Sequence, residues 1–224
     1  MSLILRSGGA KQVLAQGSVL PDADFHCPLM SLPLAFNTTL DGIPAPAPPR
    51  PDPVTQERWR ARLGERTRPR IGLVWSGSVS HLNDRRRSVP LAEWVVHLPG
   101  EFHYVSLQKD VREADRRTLD ALPQILDLSD ELTDFADTAA AIECLDLVVS
   151  VDTSVAHLSA TLGRQTWIVL PFNPDWRWLL KRRDSPWYRS VTLYRQEHPG
   201  DRQSVLTQLG ADLQRFSQAV ASTP

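Results

Sequence analysis

Cysteine is nearly missing from this 224-residue chain, which has two, Cys27 and Cys144, in unrelated surroundings. That excludes a disulfide framework and a zinc-ligand spacing. Cys144, in an apolar run just before a predicted strand, reads as a buried free thiol. Net charge is missing too: 25 basic and 26 acidic side chains leave a formal −1. A global basic field for nucleic acid is therefore excluded, although arginines cluster locally. No apolar run approaches the roughly 18 residues that span a bilayer. Met1–Arg6 lacks the apolar core of a signal peptide, so a cytoplasmic location is expected. The spaced Gly-Lys-Ser/Thr of a P-loop and the three glycines of a dinucleotide fingerprint are both absent. No Ser/His/Asp nucleophile elbow and no metal cluster is evident, so neither a metal nor a resident cofactor is expected.

What the chain does contain is punctuation followed by regularity. Residues 1–43 are irregular, broken by Pro21, Pro28 and Pro33, with short strands expected at Lys11–Gln16 and Asp24–Pro28. They read either as an arm packed on the next domain or, preferably, as the remnant of a preceding one. Pro44 to Pro53 holds six prolines in ten residues, a stiff spacer and the best domain boundary. Val54–Leu63 reads as a short polar helix with Thr55 as its cap and Trp59 as its anchor. Residues 44–69 are thus a linker, and residues 70–224 a domain.

Within that domain apolar runs alternate with helical spacing. Strands are expected at 70–75, 102–107, 125–128, 145–151, 166–170 and 191–194. Helices are expected at about 89–98, 112–121, 135–144, 155–162 and 204–221, with Pro90 in a first turn and Gly163 just past a helix end. This alternation predicts an α/β fold, a doubly wound parallel sheet.

Ligands of such sheets bind outside the carboxyl ends of the strands, and three strand ends carry suitable residues. After the first strand come Ser76, Gly77 and Ser78, a small turn whose glycine permits close backbone approach. A loop with three arginines, His81 to Ser88, follows; guanidinium groups match phosphate geometry. After the second strand comes Lys109. The fourth ends in Asp152, Thr153 and Ser154 with His157 one turn on, where free backbone N–H groups and the helix dipole converge. An ordinary cap or tight turn needs the same residue types, so each feature alone is compatible with scaffolding; together they point to an anion site. The aromatic loop Pro171–Trp178 suits either stacking on a base or sugar or closure of the sheet edge.

Six segments in order carry a resemblance: Ile-Gly-Leu-Val-Trp-Ser-Gly-Ser at 71–78, Asn-Asp-Arg-Arg-Arg-Ser-Val-Pro at 83–90, Ser-Leu-Gln-Lys at 106–109, Leu-Thr-Asp-Phe-Ala-Asp-Thr-Ala-Ala at 132–140, Val-Ser-Val-Asp-Thr-Ser-Val-Ala-His at 149–157 and Leu-Pro-Phe-Asn-Pro-Asp-Trp-Arg-Trp-Leu-Leu at 170–180. Residues 70–196 resemble the C-terminal, nucleotide-sugar-binding domain of a GT-B glycosyltransferase. The likeness is to the heptosyltransferase-like family (glycosyltransferase family 9), as found at the C-terminus of bacterial tetratricopeptide-repeat proteins. Residues 24–36 look like the close of the N-terminal domain of those proteins.

The resemblance implies a nucleotide-diphosphate-sugar donor and a glycan or protein acceptor. It places the family's diphosphate-binding Asp-Thr-Gly-x-x-His on Asp152, Thr153, Ser154 and His157, with Ser154 where a glycine is usual. The family's phosphate-contacting basic residue falls on Arg87, its hydroxyl turn on Ser76 and Ser78, and, more loosely, a phosphate-contacting lysine on Lys109. The general base of such inverting transferases belongs to the N-terminal domain, for which 43 residues are too few. The expectation is a donor site without an acceptor site, a chain that binds nucleotide and turns nothing over alone. Two rivals remain: a degenerate, non-catalytic interaction module, and an epimerase of the same architecture whose carboxylates are not identifiable here.

Overall fold

The computed structural model describes residues 11–221; Met1–Arg6 lies outside them. Six strands form one sheet: β1 (Arg70–Val74), β2 (His103–Ser106), β3 (Ile125–Asp127), β4 (Leu147–Val151), β5 (Thr166–Leu170) and β6 (Val191–Arg195). All neighbouring pairs are parallel, in the order β3-β2-β1-β4-β5-β6. This is a doubly wound α/β fold, as expected, and its strand order reverses between β1 and β4, where a crevice opens. β1, β4 and β5 are buried at every position, which is why they read as continuous apolar runs rather than alternating ones.

Seven helices flank the sheet among the described residues: α1 (Pro53–Leu63), α2 (Asp84–Arg87), α3 (Leu91–Val95), α4 (Glu113–Asp120), α5 (Phe135–Ile142), α6 (Ser154–Thr161) and α7 (Arg202–Ala221). On one face Leu91 and Trp94 of α3, Leu119 of α4 and Leu206 and Leu209 of α7 cover Ile71, Leu73, Val149 and Val151. On the other, Trp59 of α1 and Ala140–Ile142 of α5 cover Val74, Val105 and Val148, and Ala156 and Ala160 of α6 cover Ile168 and Leu193. Gly72 faces this second layer, where a Cβ would meet Leu145 at 2.7 Å and Leu107 at 2.8 Å. No described helix is long and apolar enough to cross a membrane.

Several local expectations need correction. Neither 11–16 nor 24–28 forms a strand. No neighbouring strand offers them a ladder, and the segment stays exposed, Val19 at 93% and Phe25 at 92%. Asp52, not Thr55, caps α1: its carboxylate accepts the Thr55 N–H at 3.1 Å. Pro53 at the first helical position moves the cap one residue before it. Pro90 likewise precedes α3, which stops at Val95; Pro99 disfavours helical geometry at Leu98. The arginine loop contains the one-turn helix α2. Cys144 is free but half-buried rather than buried, and burial raises its thiol pKa.

The linker helix is part of the domain's packing. Trp59 is 1% exposed. The Arg70 guanidinium, at the start of β1, donates to the carbonyls of Leu63 (2.8 Å) and Gly64 (2.7 Å), capping the negative end of α1. Asp137 of α5 binds Arg58 and the Thr133 hydroxyl. Burial pushes its carboxyl up, but these hydrogen bonds outweigh burial and hold it below the usual range. Trp59→Ala should cost about 3–5 kcal/mol of unfolding free energy, as buried aromatic truncations do, measured by urea denaturation; a loss below about 1 kcal/mol would place α1 outside the cooperative core.

Candidate functional site

The turn after β1 is fixed by a side chain from the neighbouring strand end. The Gln108 amide oxygen accepts the N–H groups of Trp75 (3.2 Å) and Ser76 (3.0 Å), while its nitrogen donates to the carbonyls of Ser76 (3.0 Å) and Asp110 (3.2 Å). All four of its hydrogen-bonding positions are used, so Gln108 holds the turn rather than a ligand. Asp115 completes the support, accepting the Trp75 indole N–H at 3.0 Å and the Leu91 N–H at 2.9 Å.

Below that turn lies a buried carboxylate. Asp84, 5% exposed, accepts the Ser88 hydroxyl at 2.7 Å and the Arg112 guanidinium at 2.5 Å. The Gly77 N–H donates to Ser88 Oγ at 3.0 Å, and Arg112 reaches the Gly77 carbonyl at 3.1 Å. One carboxylate thereby orients two arginines, since Arg87 Nε also lies 3.6 Å from Asp84.

Arg87 is the bridge. Its Nη1 donates to the Asp152 carbonyl at 2.8 Å, joining the turns that follow β1 and β4. The guanidinium lies directly over Gly77, where a Cβ would sit 2.2 Å from Nη2. The close approach that Gly77 permits is therefore that of Arg87. Of the three consecutive arginines only Arg87 turns inward; Arg85 and Arg86 are exposed. Three polar atoms around this bridge are buried with no hydrogen-bond partner among the described residues: Ser76 Oγ, Arg112 Nε and Arg87 Nε, the last within ion-pair distance of Asp84 only. Unsatisfied donors at one locus suit an anion that accepts from them.

Across the crevice, Thr153 caps α6, its hydroxyl 3.4 Å from the Ala156 N–H and 3.0 Å from the Ser150 hydroxyl. The N–H groups of Ser154 and Val155 occupy the first two helical positions, which have no intrahelical acceptor. Both residues line a cleft of about 280 Å3, together with Lys109, Leu132 and Phe135. Lys109 donates to the Ser129 carbonyl at 3.0 Å.

The structure thus brings together Ser76, Gly77, Arg87, Asp152, Thr153 and Ser154, with Lys109 on the far wall of the cleft. Ser78 is not among them; its hydroxyl pairs with Ser80 at 2.8 Å on the exposed loop. His157 faces the aromatic loop instead. It stacks on Trp178 (centroids 4.9 Å apart), its Nδ1 is 3.0 Å from the Tyr188 hydroxyl, and its Nε2 is 3.8 Å from the Asp152 carboxylate. Burial lowers its pKa, against the opposing pull of Asp152, so the imidazole is neutral near pH 7. Among the described residues no group of His, Cys, Asp and Glu is arranged to hold a metal.

Asp84, Gln108, Arg112 and Asp115 are the members of this arrangement that the sequence does not single out. Only the ordered segment at 83–90 hints at Asp84, and a four-residue helix is too short to display a period.

The fold defines a Rossmann-like α/β domain with a crevice at its topological switch point. The same fold occurs in E. coli ADP-heptose LPS heptosyltransferase II, at 19% sequence identity and a TM-score of 0.54. The match covers 80% of this chain and 58% of the heptosyltransferase, so the chain spans less than two thirds of that protein's length. No protein-family model and no curated protein sequence matches the chain.

Gly77→Ala should displace the Arg87 guanidinium and forfeit its charge-assisted bond to Asp152, costing about 1–3 kcal/mol. A double-mutant cycle with Arg87→Ala checks the cause: both changes remove the same bond, so their costs should fall short of additivity. Additive losses would show that the two residues act separately. For His157 the folded pKa lies below the unfolded value of about 6.5. The unfolded chain therefore binds a proton that the fold refuses, and stability falls progressively as pH drops below about 6.5. His157→Gln should flatten that part of the melting-temperature profile; an unchanged slope would refute it.

Proposed function

We propose that residues 70–224 form the donor-binding domain of an inverting glycosyltransferase that uses a nucleotide-diphosphate sugar, with residues 44–69 as linker and 1–43 as the remnant of a preceding domain. The carrying observation is the Arg87 bridge: a guanidinium held across the sheet's switch point beside the amino end of α6, amid buried donors that lack acceptors. The diphosphate lies against the Arg87 guanidinium and the amino end of α6 at Ser154, beside the bridge rather than within it. The nucleoside occupies the adjoining cleft, with Phe135, 52% exposed, available to stack on the base. Lys109 exchanges its carbonyl partner for a phosphate oxygen.

In the reaction an acceptor oxygen attacks the anomeric carbon from the face opposite the leaving group. The bond from that carbon to the diphosphate oxygen breaks, and its electron pair passes to the diphosphate. Arg87 and the helix dipole stabilise the developing charge. The acceptor's proton goes to a base outside this chain, so the isolated chain binds donor without transferring its sugar. The rival, a non-catalytic interaction module, draws on Ser154, whose side chain stands in the cleft where the resembled family has glycine.

Calorimetric titration with ADP, UDP and GDP and their sugars tests the assignment. At least one nucleotide should bind, and Arg87→Ala should weaken it about tenfold or more, the worth of a charge-assisted hydrogen bond. Failure of every nucleotide to bind supports the module; turnover by the isolated chain refutes the missing base.

A further inference from the structure

A second cavity opens at the same edge of the sheet but at the ends of β5 and β6, away from Arg87. It measures about 740 Å3, more than twice the cleft of about 280 Å3 beside α6. Its walls come from Phe172 and Asn173 after β5, the strap Leu180–Arg183, and Arg195–Glu197 at the end of β6.

The lining carries four cations, Lys181, Arg182, Arg183 and Arg195, against one carboxylate, Glu197. Arg182 pairs with Asp184 at 2.6 Å and Arg183 with Asp212 at 3.0 Å. Lys181 and Arg195 have no carboxylate partner among the described residues. Arg195 donates only to backbone carbonyls, those of Arg182 (2.8 Å) and Trp178. Burial, and then the like charge of Arg182, lower its pKa. A half-buried cation satisfied by neutral acceptors alone is a place where an anion gains more than on open surface.

The strap is also strained. Leu179 adopts φ 53 and ψ −162, a region essentially restricted to glycine, and Lys181 has φ 55. Such geometry persists only where the surroundings impose it. Here the Arg195 guanidinium grips the strap at both ends, and the Leu193 N–H bonds the Arg183 carbonyl at 2.6 Å. The outcome is that Lys181 stands beside the cavity and Leu180 remains 70% exposed along its wall, with Phe172, 51% exposed, opposite the strap in the lining. Two cations without a carboxylate partner, with exposed apolar side chains and the amides of Asn173 and Gln208, match a small ring bearing hydroxyls and one anionic group.

We propose that this cavity is a second ligand site, selective for a sugar carrying a carboxylate or phosphate, with Lys181 and Arg195 binding the anionic group and Phe172 the ring face. The assignment is independent of the donor reading, because none of these residues lies in the Arg87 crevice.

The test is amide NMR on the isotope-labelled full chain, titrated separately with glucuronate, glucose 6-phosphate, neutral glucose and inorganic phosphate. At least one acidic sugar should shift the amides of Asn173, Leu180–Arg183 and Gln196–Glu197, while glucose leaves them unmoved and inorganic phosphate acts more weakly. Lys181→Gly removes the ammonium and suits the positive φ, so it should keep the wild-type melting temperature and weaken the acidic sugar at least fivefold. The proposal is overturned if neither acidic sugar shifts these amides, if glucose shifts them equally, or if inorganic phosphate matches the acidic sugars. Unchanged affinity in Lys181→Gly, or shifts confined to Asp152–Ser154, would overturn it as well. ADP titrated into the same sample reads the donor crevice separately.

Discussion

The bond from Arg87 to the Asp152 carbonyl is the constraint on which the crevice depends. β1 and β4 are neighbours in the sheet, but beyond their last paired residues the two chains part in opposite directions. A doubly wound sheet therefore opens there. One guanidinium spans the gap, and everything near it serves its placement. Gly77 gives it room, Asp84 aligns it together with Arg112, and Gln108 keeps the Trp75–Ser76 backbone from moving away. The same bond occupies an acceptor on the protein while Arg87 Nε, 3.6 Å from Asp84, makes no hydrogen bond. The bridge is thus a preorganised charge with unused hydrogen-bonding capacity, the condition under which electrostatic stabilisation needs little reorganisation.

The sheet was legible because its strands are buried on both faces, and such strands announce themselves as short β-branched runs. Leu147–Val151 and Thr166–Leu170 lie within their expected bounds, and the helix between them, α6, follows from helical spacing and from Gly163, which has φ 75. The parts that were not legible are those whose conformation is set by distant partners. A potential strand such as Lys11–Gln16 is decided by whether an edge is available, which no local pattern encodes. α2 is one turn long, held by Asp84 through contacts to Ser88 and Arg112 rather than by its own periodicity.

The site divides in the same way. Arg87 is singled out by its place in the resembling segment at 83–90, and Asp152–Ser154 by its place between a strand and a helix. His157 sits one turn into the same helix, but its ring is engaged by the aromatic loop, stacked on Trp178 and within hydrogen-bond distance of the Tyr188 hydroxyl. Ser78 lies past the turn, on a loop with its own hydrogen bonds. Asp84 and Arg112 are separated by 28 positions in the chain and meet only after β2 is laid beside β1. Their partnership is a property of the topology and has no signature in either segment alone.

The clasp of Arg70 on the end of α1 bears on where the cooperative unit begins. The strand's first side chain is buried because it is spent on two helix carbonyls, and Trp59 fills the space beside Val74 and Val105. Pro49 and Pro51, within the proline-rich stretch, are buried as well. The compositional border at Arg70 is thus not a thermodynamic one. The proline run is packed as a seam rather than left free as a hinge, and the helix after it shares its buried surface with the sheet.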